Sequence, residues 1–141
     1  MSEENLQKWH AHLRGELAGG LDELLDDDVV FYSPVVFTPQ RGKELTKLYL
    51  NAASNTFSEG DAEKTPGKGA SNFRYTKEIV CGDQVMLEFE SEIEGKYING
   101  VDIITWNEEG KITEFKVMIR PLQAVNMIHA QMQAMLEKMQ N

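Results

Sequence analysis

The residue best placed to do chemistry in this chain is Asp102. Apolar and polar residues alternate along 97–106, and on that alternation Asp102 shares a strand face with Ile98, Gly100, Ile104 and Trp106. Apolar neighbours penalise the charged form of a carboxyl group, so such a residue can hold its proton toward neutral pH. A structural role competes with this: a carboxylate paired with Arg120, His12 or Lys116, or one accepting backbone bonds. His12 titrates near neutrality and could act as base, acid or donor. His10, His12 and His129 are the only histidines. His10 and His12 are two apart on a helix and face different ways, so they cannot chelate a metal as residues four apart would. Tyr32 is the remaining polar candidate. Alternation points it opposite to Phe31 and Ser33, so Tyr32 and Ser33 cannot both face one pocket.

Other chemistry finds little support. Glu88, Glu90 and Glu92 alternate against Val85, Leu87, Phe89, Ser91 and Ile93. Paired carboxylates suit glycoside hydrolysis, but a solvated face of a half-buried strand explains this run more simply. The run Asp26-Asp27-Asp28 neither alternates its ligands nor supplies a turn glycine as a calcium loop does, so a solvated break before a strand is expected. Gly15, Gly19 and Gly20 form no phosphate loop, and no nucleophile elbow occurs. The single cysteine, Cys81, excludes an internal disulfide and a cysteine zinc site, and is expected to be a small buried hydrophobe. No metal and no cofactor are expected.

These residues must be positioned by helices first and strands last. Leu6, Trp9, Leu13 and Leu17 predict a helix over 3–19, ended by Gly19-Gly20. A short helix follows at about 21–26. Val29 to Ser33 and Val35 to Thr38, interrupted by Pro34 and stopped by Pro39, read as a bent or edge hairpin. A third helix over about 43–57 carries Leu45, Leu48, Tyr49, Ala52 and Ala53 on its apolar face. Residues 58–72 read as a connector, or as a lid. Period-two runs at 73–81, 84–93, 97–106 and 112–120, joined by short turns, make an antiparallel meander. Pro121 starts a terminal helix whose stripe of Val125, Ile128, Met132, Met135 and Met139 needs a cover.

The expected fold is therefore α+β, in one domain over residues 1–141. A cone-shaped, curved antiparallel sheet carries the N-terminal helices on its concave face, with a C-terminal helix besides. Such curvature leaves a cavity at the open end for a small molecule. Fourteen basic and 23 acidic residues give a net charge of −9, which argues against nucleic acid and anionic membrane surfaces. No signal peptide or membrane-spanning run is evident, so the cytoplasm is the expected location.

The order of elements resembles the SnoaL-like, or nuclear transport factor 2-like, superfamily, which includes ketosteroid isomerases and polyketide cyclases. The segment Val101-Asp102-Ile103-Ile104-Thr105-Trp106-Asn107-Glu108-Glu109-Gly110-Lys111-Ile112 carries the resemblance best. Phe31-Tyr32-Ser33-Pro34, followed by Pro39-Gln40-Arg41-Gly42 and a helix, is a second match. The resemblance implies that Asp102 is the neutral acid that donates to a developing oxyanion. It places Ser33 where the isomerases carry their aspartate base, and a serine without a basic partner cannot take a proton from carbon. It brings His12 roughly to the position of an oxyanion-binding tyrosine. The resulting expectation is a site with Asp102, His12 and Tyr32 as catalytic candidates and Trp9, Ser33, Tyr49, Ile104 and Trp106 around the ligand. The ligand would be a small, apolar, carbonyl-type compound, acted on by an isomerase, cyclase or dehydratase. A non-catalytic binding or protein-interaction module is the alternative. A homodimer fits both, because Val101, Ile103 and Phe115 are read onto the sheet's outer face.

Overall fold

The computed structural model describes residues 2–59, 73–93 and 95–140. Helix α1 (Ser2–Leu13) leads to α2 (Gly20–Leu24), strand β1 (Leu25–Tyr32), a two-residue β2 (Gln40–Arg41) and α3 (Lys43–Glu59). Then come β3 (Arg74–Cys81), β4 (Gln84–Ile93), β5 (Lys96–Trp106), β6 (Ile112–Arg120) and α4 (Leu122–Gln140). One curved six-stranded sheet runs in the order β2-β1-β6-β5-β4-β3. Its β3–β6 portion is the expected antiparallel meander. The addition is β1, which pairs with β6 in parallel and with β2 antiparallel.

The first helix stops six residues earlier than its apolar spacing predicts. Gly15 adopts a left-handed φ of 75°, its N–H returns to the His12 carbonyl, and the Glu16 N–H reaches back to Ala11. This pair of closing bonds around a left-handed glycine is a helix C-terminus, and it outcompetes continuation. Leu17 still packs against the core, from beyond the helix.

The aspartate run also departs from expectation. It lies within β1, where pairing with β6 slips between Leu25 and Val30, so the extra residues bulge. Asn107 donates to Asp26, and Lys43 ion-pairs with Asp27. The second leg of the first hairpin is Gln40–Arg41, not 35–38. Prolines 34 and 39 bracket a segment outside any strand. Residues 58 and 59 of the expected connector belong to α3, and 60–72 lie outside the described residues. At the other end, Pro121 stands just before α4, its carbonyl accepting the Val125 N–H.

Two apolar clusters fill the concave side. One joins α1 and α2 to β1, β5 and β6 through Leu6, Trp9, Leu24, Phe31, Trp106 and Phe115. The other joins β4 and β5 to α4 through Phe89, Ile98, Ala124 and Ile128. Phe115 therefore faces inward, correcting its assignment to the outer surface: its register partners Phe31 and Ile104 are both buried. From the α4 stripe Ile128 is buried and Met132 half-buried, while the side chains of Met135 and Met139 lie outside the described set.

Strand β3 contains the fold's most consequential irregularity. Tyr75 pairs with Phe89, which faces inward, yet Lys77 pairs with Glu88, which faces outward. The register shift between them turns the remainder of the strand over. Cys81 is accordingly exposed, at the end of an edge strand, rather than buried as expected. Among the described residues, no helix is long and apolar enough to cross a membrane.

Candidate functional site

Between the concave face and helices α1, α3 and α4 lies a cavity of about 690 Å³, within the range of small-molecule sites. Its walls are mainly aromatic and aliphatic. Trp9, Phe31, Tyr49 and Phe115 line one part; Phe73, Tyr75 and Phe89 line another. Phe31 stacks on Tyr49 at 5.7 Å, and Phe73 on Phe89 at 5.0 Å. Gly100 lets Phe89 lie close on β5, since a Cβ there would stand 2.5 Å from the Phe89 ring and 2.6 Å from the Met118 carbonyl.

Asp102 sits deep in this cavity and is 7% exposed. Strand register sets it between Leu87 and Val117, so two neighbouring strands shield it from water. The Tyr75 hydroxyl donates to its Oδ2 at 2.9 Å, and the Trp9 Nε1–H donates to the Tyr75 oxygen at 3.1 Å. Among the described residues Asp102 has no other hydrogen-bond partner; the anticipated pairing with Arg120 does not form, because Arg120 donates to Asn99. Burial pushes the Asp102 carboxyl up to about 7, with the Tyr75 hydrogen bond pulling the other way. Burial, and then the nearby carboxylate, hold the Tyr75 phenol well above its ordinary range, so it remains a donor. The chain Trp9–Tyr75–Asp102 thus leaves one carboxyl oxygen uncommitted at the end of an apolar chamber. Near neutral pH that group exists in both forms, able to donate or to accept.

His12 also lines the cavity, one helical turn from Trp9, with its ring 5.4 Å from the indole. Partial burial lowers its pKa, which favours the neutral imidazole, a form that can accept a proton. Ser33 lines the cavity as well, but its Oγ accepts the N–H groups of Val35 and Val36 at 3.0 and 3.3 Å. It is therefore engaged in holding a turn.

Five of the eight sequence candidates come together: Asp102, His12, Trp9, Ser33 and Tyr49. The other three do not. Tyr32 is absent from the lining, and the Lys116 ammonium lies 4.9 Å from its ring centre. Ile104 and Trp106 are buried, at 0% and 2% exposure, in the core with Leu6, Leu21 and Leu24. They share the Asp102 face as alternation implies, but the first two helices cover that stretch. Glu88, Glu90 and Glu92 alternate away from the inward side chains of β4; Arg74 bonds Glu90. His10 bonds Glu78 outside the cavity. No group of three metal-ligating side chains occurs among the described residues.

Sequence reasoning missed Tyr75. Simple alternation places it with Phe73, Ile79 and Cys81, and the β3 register shift leaves Tyr75 inward while turning Ile79 and Cys81 outward.

Neither a family model nor a curated protein matches the chain. Solved structures do. A steroid delta-isomerase from Pseudomonas aeruginosa is similar at 26% identity and a TM-score of 0.83, over 97% of this chain and 92% of that one. A conserved bacterial protein with a cystatin-like fold from Silicibacter pomeroyi is similar at 27% identity and a TM-score of 0.75, over 92% and 83%. A nuclear transport factor 2-like protein of unknown function from Mesorhizobium loti gives 17% identity and a TM-score of 0.62, over 85% and 93%. The chain has the nuclear transport factor 2-like, or SnoaL-like, fold.

Proposed function

We propose, taking the nuclear transport factor 2-like fold as premise, that the protein binds a small apolar carbonyl- or phenol-type molecule and moves a proton on it without a cofactor. The observation that carries this reading is the placement of Asp102: its side chain is buried, bonded among the described residues to Tyr75 alone, and open to an apolar cavity. In its neutral form Asp102 donates to the carbonyl oxygen of the guest. As a proton leaves the adjacent carbon, charge grows on that oxygen and the bond strengthens. A donor of this kind is worth roughly 3 kcal/mol of barrier. Neutral His12 is the base: it lines the cavity beside Trp9, whereas the other cavity histidine, His129, is exposed on α4. Isomerisation, cyclisation and dehydration share this step, and similarity to a steroid delta-isomerase is consistent with it.

The capture of Ser33 by its own turn supports a second reading, in which the cavity binds without catalysis. One experiment separates the two. Enolisable ketones and phenols are screened for thermal stabilisation of the wild type and Asp102→Asn, and ketones that bind are followed by NMR for carbon-bound proton exchange in deuterated water. Catalysis predicts accelerated exchange that falls at least about 100-fold in His12→Ala and in Asp102→Asn. Asp102-dependent stabilisation without exchange supports the binding module. If no ligand stabilises the wild type, or if Asp102→Asn responds identically, the role given to Asp102 fails.

The same reading includes a homodimer, joined through the convex sheet face. Ile79 and Met118 are about half-exposed there (49% and 51%), in register with half-buried Met86, Ile103 and Val101. Sedimentation equilibrium tests it: Met118→Glu is expected to shift a dimer toward monomer, and a monomeric wild type would sink the idea.

A further inference from the structure

The cavity is electrostatically one-sided. Its described lining holds two carboxylates, Asp102 and Glu137, and two histidines, His12 and His129, but neither lysine nor arginine. The chain's net charge of −9 adds a field of the same sign. The two carboxylates stand at different depths. Asp102 is buried, whereas Glu137 is exposed at the mouth.

Helix α4 builds this mouth. His129, Gln133 and Glu137 recur every four residues and are all exposed, so they form one polar rail beside the opening. Ile128 and Met132, each one residue earlier, form an apolar rail below it. Among the described residues Glu137 has no ion-pair partner. A guest lying along α4 therefore meets an oxygen-binding group at depth, an apolar middle and, at the rim, a carboxylate without an ion-pair partner among the described residues.

We propose that the guest is two-ended: a flat, oxygen-bearing head at Asp102 and Tyr75, and a protonated amine that reaches Glu137 at the mouth. The site correspondingly rejects molecules whose tail is a carboxylate or a phosphate. This deepens the proton-transfer and binding reading above and rests on it. An anionic tail would lose hydration without gaining a cationic partner among the described residues, and it would face Glu137 directly. An ammonium tail keeps part of its hydration at the open rim, so its gain is modest.

The test uses three naphthols with arms of equal length ending in alkyl, amine or carboxylate. Each is titrated calorimetrically into the full chain at neutral pH and low salt. The amine arm is expected to bind about five-fold tighter than the alkyl arm, and the carboxylate arm at least about five-fold weaker. Glu137→Gln is expected to bring the amine and alkyl arms within about two-fold, as is raising the salt. An unchanged melting midpoint will show that this surface variant is folded. Equal binding of all three arms, with all weakened by Asp102→Asn, overturns the charge selection and leaves head recognition standing. A preference for amine that survives Glu137→Gln overturns the assignment to Glu137. Failure of all three to bind overturns both readings together.

Discussion

Two buried polar residues stand three positions apart on β5 and face opposite sides of the sheet. Asn99, on the convex side, is saturated: its amide donates to Glu88 and to the Phe89 carbonyl, and its oxygen accepts from Arg120 at 2.7 Å. Asp102, on the concave side, receives one bond from Tyr75 and otherwise meets an apolar cavity. Both are 7% exposed, so burial does not distinguish them. What differs is how many bonding positions the protein itself fills. A polar group whose partners are all in the chain holds the sheet together, and one left short of partners is available to a guest.

The largest effect that would sharpen this contrast is on the pH dependence of stability. Asp102 titrates at about 7 in the fold against 3.8 ordinarily. Between those values the folded state holds a proton that the unfolded state has released, so stability falls as pH rises through the window and levels off above it. The full difference is on the order of 4 kcal/mol. Asp102→Asn, which cannot ionise, is expected to flatten this slope, gaining on the wild type between about pH 4 and pH 7 in thermal melts. Parallel wild-type and variant curves would show that the carboxylate is ionised throughout.

Asn99→Ala should cost roughly 1–2 kcal/mol, because it removes a partner of the buried Phe89 carbonyl, whereas the exposed Arg120 is rehydrated. Ligand-induced stabilisation should be retained in this variant. A lost ligand response would break the division between the two faces.

Tyr75→Phe is expected to cost about 1–2 kcal/mol, as it removes the acceptor of the buried Trp9 N–H. It should also move the Asp102 titration upward, since the Tyr75 bond holds that carboxyl down. Carbon-detected NMR of the carboxyl would read the direction, and a downward move would mean that Tyr75 does not bond the charged form. Ser33→Ala should be smallest, about 0.5–1 kcal/mol from the loosened turn. The proton-exchange rate should fall by less than about ten-fold, because a lost general base would cost about 100-fold or more.

Much of this contrast was legible in the sequence. The boundaries of β4 and β6 coincide with their period-two runs, and alternation alone set Asp102 on a buried face among Ile98, Gly100 and Ile104. The first helix resisted, because a single left-handed glycine closed it before the leucine pattern ended. So did the positions along β5: periodicity gives the face of Ile104 and Trp106, but only packing tells which stretch of it the helices cover. Strand β3 misled for a related reason. One extra residue reverses the parity that alternation relies on, so Tyr75 stays in while Cys81, on the same face by count, turns out.

The parallel pairing of β1 with β6 also constrains how the molecule is made. Phe31 and Phe115, opposite each other across that seam, both wall the cavity, though they stand 84 positions apart in the chain. Contacts of such long range close late, after their loop entropy has been met. During synthesis the first strand must therefore wait, with its apolar edge unpaired, until the last strand has left the ribosome. The chamber around Asp102 is then among the final features to exist, and a nascent chain that ends before Ile112 lacks the strand that carries Phe115 and Val117 of its wall.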